Sequence, residues 1–139
     1  MTQGEIWASA EADGGDEFIS VRAASGRALM LARSQVSWEE IEGHLLLLHT
    51  VIGKKYVLRG SLKSLEQRWS KYGFVRIHNS FLVSLSHVRK LRPTSRGGRE
   101  AYLSFGAEGR YLPISRRCFQ KFKQMWAKHI ESQYEKSFS

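Results

Sequence analysis

A chain of 139 residues with 42% hydrophobic residues and sixteen aromatics has the size and composition of one domain with a sizeable core. No uninterrupted apolar run approaches the ~20 residues of a membrane-spanning helix, no basic segment followed by an apolar core marks a signal peptide, and a single cysteine, Cys118, leaves no disulfide framework and fits a reducing, cytoplasmic setting. The net charge is +9 and uneven: residues 1–17 hold five acids and no Lys or Arg, which leaves 22 basic against 8 acidic residues, or +14, over residues 18–139. A domain so basic gathers polyanions at its surface. Nucleic acid is the leading partner. An anionic membrane is a rival that favours a basic amphipathic helix with an exposed apolar face.

In chain order, residues 1–17 read as an acidic, disordered arm. Phe18–Arg22 alternates as a strand, Ala23–Gly26 turns, and Arg27–Ala32 returns as a hairpin partner. Val36–Glu42 fits a strand or a short helix, Gly43 breaks it, His44–Val51 is an apolar strand, and Lys55–Arg59 follows a turn. Ser61 is a good N-cap for a helix with Leu62, Leu65, Trp69 and Tyr72 on one face, and Gly73 stands where a C′ glycine belongs. Phe74–Leu85 and Val88–Arg92 read as strands, Pro93–Arg99 as a basic loop, and Glu100–Phe105 with Arg110–Leu112 as a last hairpin. Ser115 caps a final helix whose buried stripe is expected to be Phe119, Phe122, Trp126 and Ile130, with fraying beyond about Glu131. The expected fold is mostly β, an elongated set of small antiparallel sheets of about ten short strands, with one short helix between strands and a C-terminal helix. The expected domain spans residues 18–130, with a tail over residues 131–139.

Phe74–Leu85 (FVRIHNSFLVSL) is the most informative stretch. Its apolar frame encloses Arg76, His78, Asn79 and Ser80. A buried polar group without a partner costs about 1–3 kcal/mol, so these four either satisfy one another at a bend or face a ligand. Catalysis finds little support. The five histidines fit no zinc spacing, no Gly-x-Ser-x-Gly elbow or phosphate-binding glycine loop is present, and acids are sparse where bases are dense. No enzyme activity, catalytic residue, metal or cofactor is expected. Polar and basic groups meet chain breaks at three points: Gly43–His44, Arg76–Ser80 and Ser115–Arg117. Arg and Asn pair with base edges, and Ser, Lys, Arg and helix N-termini hold phosphates. No run of glycine and aromatics typical of RNA-binding sheets appears, and the two helices lie too far apart in sequence for a helix-turn-helix.

The order of Ser61-Leu62-Lys63-Ser64-Leu65, Phe74-Val75-Arg76-Ile77-His78-Asn79-Ser80-Phe81-Leu82-Val83-Ser84 and Pro113-Ile114-Ser115-Arg116 resembles the LytTR (LytR/AlgR-type) DNA-binding domain of bacterial response regulators. Val36-Ser37-Trp38-Glu39 up to Gly43 is similar to a further strand of that family, and the likeness spans about Phe18 to Lys128. Ser84 stands where the family usually has Asn. The resemblance implies a DNA reader without a recognition helix, whose loops enter successive major grooves. Carried over by motif, base contacts fall on His44, Asn79 and Arg116, and phosphate contacts on Ser61, Lys63, Arg76, Ser80 and Arg117. His78 is expected to brace the bend. The implied partner is promoter DNA carrying direct repeats, bound by two copies. A phosphorylated receiver domain is frequent in the family and cannot be built from residues 1–17, so either an excised effector domain or a stand-alone regulator with a protein partner as input is expected. The reading from a different class is a basic β-rich module that binds an acidic protein.

Overall fold

The structure, a computed structural model, describes residues 17–138. Most of the acidic arm therefore lies outside the described residues. Ten strands and two helices follow in the order β1 (Phe18–Arg22), β2 (Ala28–Ala32), β3 (Val36–Glu42), β4 (Leu45–Thr50), β5 (Lys55–Arg59), α1 (Leu62–Trp69), β6 (Phe74–His78), β7 (Phe81–Ser84), β8 (Val88–Pro93), β9 (Arg99–Leu103), β10 (Arg110–Ile114) and α2 (Arg116–Phe138). They form a seven-stranded sheet ordered β2-β1-β5-β4-β3-β7-β6 and a three-stranded sheet ordered β10-β9-β8, all pairings antiparallel. The mostly β class, the number of strands and the placement of both helices agree with the sequence reading, and the ambiguous Val36–Glu42 is a strand.

Local signals explain where elements stop. The Ser61 hydroxyl accepts the Ser64 N–H at 3.1 Å and caps α1. α1 tightens into a 3₁₀ turn over Ser70–Tyr72 and ends at Gly73, whose φ of 84° is the left-handed conformation that glycine adopts without a Cβ clash. At the other helix, the Ser115 hydroxyl accepts the Cys118 N–H at 3.3 Å.

The central sheet is a wall between two cores. On one face Leu62, Leu65 and Trp69 of α1 pack with Ile19, Val21, Leu46, Leu48, Phe74 and Leu82. On the other, Trp38, Val75, Ile77 and Val83 pack with the three-stranded sheet and with Phe122 of α2. Phe74 and Leu82 thus face one core while their neighbours Val75 and Val83 face the other. Burial on both faces explains why β6 and β7 read as nearly continuous apolar runs.

The stripe of α2 holds only in part. Phe122 is buried, Phe119 and Trp126 are partly so, and Ile130 is exposed, which corrects the expectation that it is covered. A 23-residue helix is about 34 Å long, twice the ~17 Å of the five-residue strand β6 beside it. The second half of α2 outruns the sheet. Helical conformation continues through Phe138, beyond Glu131.

Two buried titratable groups sit in the wall. Glu39 pairs across the strands with Leu48 and Leu82, is fully buried, and neither of its carboxyl oxygens has a hydrogen-bond partner. Burial pushes it well above the usual carboxylate range, its own backbone N–H pulling more weakly the other way. His49 is stacked on Trp38 at 4.1 Å and has Nε2 2.7 Å from a Glu40 oxygen. Burial, with Arg110 and Lys55 adding to it, lowers its pKa to about 3. It is therefore a neutral ring that donates from Nε2 to Glu40, while its buried Nδ1 has no partner.

The two groups give opposite pH dependences. Glu39, raised above 4.5, contributes stability that is full below 4.5 and is lost as pH rises through its folded value. His49, lowered from 6.5 to about 3, contributes stability that is full above 6.5 and is lost as pH falls toward 3. Glu39→Gln keeps the shape and removes the charge. Thermal melts should show its advantage over the wild type growing from acidic to neutral pH. An equal difference at every pH would show that Glu39 does not titrate in the core.

Candidate nucleic-acid interface

The antiparallel register brings three chain breaks to one end of the central sheet. β3 pairs with β4 from Val36↔Thr50 to Glu42↔Leu45, so Gly43–His44 is a two-residue hairpin turn. Gly43 takes its first position with φ 64°, a left-handed value that suits this turn. β3 also pairs with β7 at Glu40↔Phe81, and the Ile41 N–H bonds the Ser80 carbonyl at 3.1 Å. The β6–β7 turn at Asn79–Ser80 therefore lies beside the end of β3. The Ser115 N–H bonds the Ile77 carbonyl at 2.8 Å, which sets the first turn of α2 against the same place. Leu45↔Arg59 puts the β5 end, and with it Ser61 and Lys63, at this end as well.

Exposed at these breaks are His44, Ser61, Lys63, Asn79, Arg116 and Arg117, with Arg76, His78 and Ser80 half-buried. Four polar residues unexplained by a core strand now have contacts. His78 Nδ1 accepts the Ser80 N–H at 3.1 Å, bracing the turn from inside. This bond makes Nδ1 an acceptor and places the ring proton on Nε2 in the neutral form. Arg76 donates from Nη1 to the Asn79 carbonyl at 3.1 Å and sets Nη2 3.4 Å from Glu66 of α1. Both belong on the α1 face of the sheet, because Arg76 alternates with Val75 and Ile77 of the opposite core. Arg76, read from sequence as a phosphate contact, is thus engaged within the protein.

Arg117 is also engaged. Its Nη2 donates to Asn79 Oδ1 at 2.6 Å. A guanidinium only donates, so the amide oxygen must face Arg117 and the amide N–H₂ is turned away from it. Arg116 projects from the neighbouring helix position without a hydrogen bond or ion pair among the described residues. Sequence reasoning missed Arg59, exposed beside Ser61, and Glu66, the partner of Arg76. Its position one turn after the capped start of α1 was the available signal for Glu66.

A family model for the LytTr DNA-binding domain matches residues 26–127. The chain belongs to the LytTR family. A LytTr DNA-binding domain of known structure from Bacillus cereus superposes with a TM-score of 0.67 at 18% identity, covering 78% of this chain and 95% of the other, and shows the same fold. The CO-responsive transcriptional regulator RcoM of Rhodospirillum rubrum is 36% identical over 92 residues, 66% of this chain and 38% of the relative. The sensory transduction protein LytT of Oceanobacillus iheyensis is 25% identical over 88 residues, 63% of this chain and 35% of the relative. The LytTR chain thus spans less than two fifths of the curated relatives it matches. Among its described residues, no helix is long and apolar enough to cross a membrane.

If Arg76 braces the turn, Arg76→Ala should cost about 1.5–3 kcal/mol in urea unfolding, the range for hydrogen bonds to a charged group. Arg76→Lys should recover only part, since one ammonium lacks the guanidinium fork that spans the Asn79 carbonyl and Glu66. Unchanged stability in Arg76→Ala would remove the bracing role.

Proposed function

We propose that this LytTR domain binds duplex DNA sequence-specifically for a bacterial transcription regulator, reading major-groove bases from its turns and carrying out no catalysis. The observation that carries the reading is the gathering of the His44 turn, the Asn79 turn and the Arg116 helix start at one end of one sheet. In this assignment His44, Asn79 and Arg116 contact bases. Ser61, Lys63, Arg76, Ser80 and Arg117 contact phosphates, with Arg76 exchanging Glu66 for phosphate and Arg117 serving Asn79 as well. A turn held by backbone bonds from β3 and α2, by His78 and by Arg76 is rigid before DNA arrives, which lowers the entropic cost of binding. Promoter direct repeats occupied by two copies, a cytoplasmic setting and a protein partner as input complete the proposal. Its RcoM and LytT relatives are named for transcriptional regulation and sensory transduction, which supports this setting.

A duplex recovered by selection from a random library supplies the probe for fluorescence anisotropy. Asn79→Ala and Arg116→Ala should each weaken binding by about 1–3 kcal/mol and relax preference at separate positions of the site. Lys63→Ala should weaken all sequences alike. Unchanged affinity and preference in Asn79→Ala would remove it as a base reader. Failure of any sequence to be enriched would contradict sequence-specific binding and favour an acidic protein as the partner.

A further inference from the structure

We propose that the cleft between the β8–β9 turn and the first turns of α2 seats a DNA backbone phosphate, outside the bases assigned to Asn79 and Arg116. The inference rests on the DNA-binding reading and extends its footprint onto the three-stranded sheet, where no contact was assigned.

Register places the cleft. Arg99 pairs with Ile114 on one side and with Pro93 on the other, so the turn Thr94–Gly98 stands level with Ile114. Ile114 precedes Ser115, the residue bonded to the Ile77 carbonyl beside the Asn79 turn. The second sheet therefore sends its β8–β9 turn toward the same end of the molecule as the proposed readers. Between that turn and α2 lies a cavity of about 170 Å³. Arg99 and Arg116 line it with Gln120, over the apolar surfaces of Ile114 and Phe119.

The chemistry of the lining selects an anion. Two guanidinium groups border the cleft, and no carboxylate does. Glu100, adjacent in sequence, is committed to Arg92, whose Nε donates to it at 2.8 Å. Arg99 lies 5.2 Å from the Phe119 ring centre and reaches the Gly98 carbonyl only at 3.3 Å. Arg96 at the tip is exposed and makes no hydrogen bond or ion pair among the described residues. Like charges gathered without a counter-charge repel one another, and an anion between them relieves the repulsion. The amides of Gly97 and Gly98 are already bonded to Thr94. Recognition is left to the Arg99 guanidinium beside the base reader Arg116, since a guanidinium binds phosphate oxygens bidentately without reading a base.

The test compares the wild type with the double variant Arg96→Ala/Arg99→Gln on a random-sequence duplex across a salt series, and on the selected duplex for base preference. Loss of the one phosphate contact should lower the slope of log affinity against log salt by roughly 0.9, so the double variant should bind every sequence more weakly, with unchanged base preference. A hydroxyl-radical footprint should shorten at one flank. Both side chains are exposed and the glutamine keeps part of the Arg99 stem, so melting should be unaffected. If it is not, Arg99→Gln alone, at the arginine that lines the cleft, should still lower the slope by roughly 0.9. Wild-type affinity, slope and footprint in folded variants would overturn the phosphate seat and leave the DNA reading standing. Absence of salt-dependent binding by the wild type would overturn both.

Discussion

Two carbonyls of the β6–β7 hairpin accept backbone N–H groups from outside it. Ile77 is bonded by Ser115 at 2.8 Å and Ser80 by Ile41 at 3.1 Å. These bonds join the hairpin turn to the start of α2 and to the end of β3. The position of every proposed reader relative to the others depends on them. They are possible because the strands themselves are sealed between two cores. Val75, Ile77, Leu82 and Val83 are almost fully buried, and a one-residue slip of β6 would carry Arg76 from beside Glu66 into the opposite core. Side chains that need water or a ligand are left only the turn.

This division accounts for Arg76, His78, Asn79 and Ser80 together. His78 and Arg76 act inward, on the Ser80 N–H and the Asn79 carbonyl, while Asn79 is exposed and meets Arg117 from the next element. The assembly has positioning groups around a presented one. It fixes the orientation of an amide at the protein surface.

Much of this was legible in the sequence, for local reasons. Ser61, Gly73 and Ser115 mark helix ends through single-residue chemistry, and Gly43 marks a turn through its tolerance of positive φ. The motif FVRIHNS and its spacing from the Ser115–Arg116 pair carried the family. What stayed hidden depended on distance in sequence. The Arg76–Glu66 pair joins a strand to a helix on a particular face, and the Asn79–Arg117 bond spans 38 residues. Glu39 looked like one more strand acid, and only its placement between Leu48 and Leu82 shows it buried. Ile130 continued the helical stripe by periodicity, but periodicity does not report where the supporting sheet ends.

Amide chemical-shift mapping during titration with a duplex shows whether this end of the sheet meets DNA. Perturbations should group at residues 43–44, 59–63, 78–80 and 115–117, with the β8–β9 turn at 94–99 joining them. Perturbations centred instead on the opposite end, at the β4–β5 turn over residues 51–54 and its neighbour Gly106, which bonds the Val51 carbonyl at 2.8 Å, would contradict it.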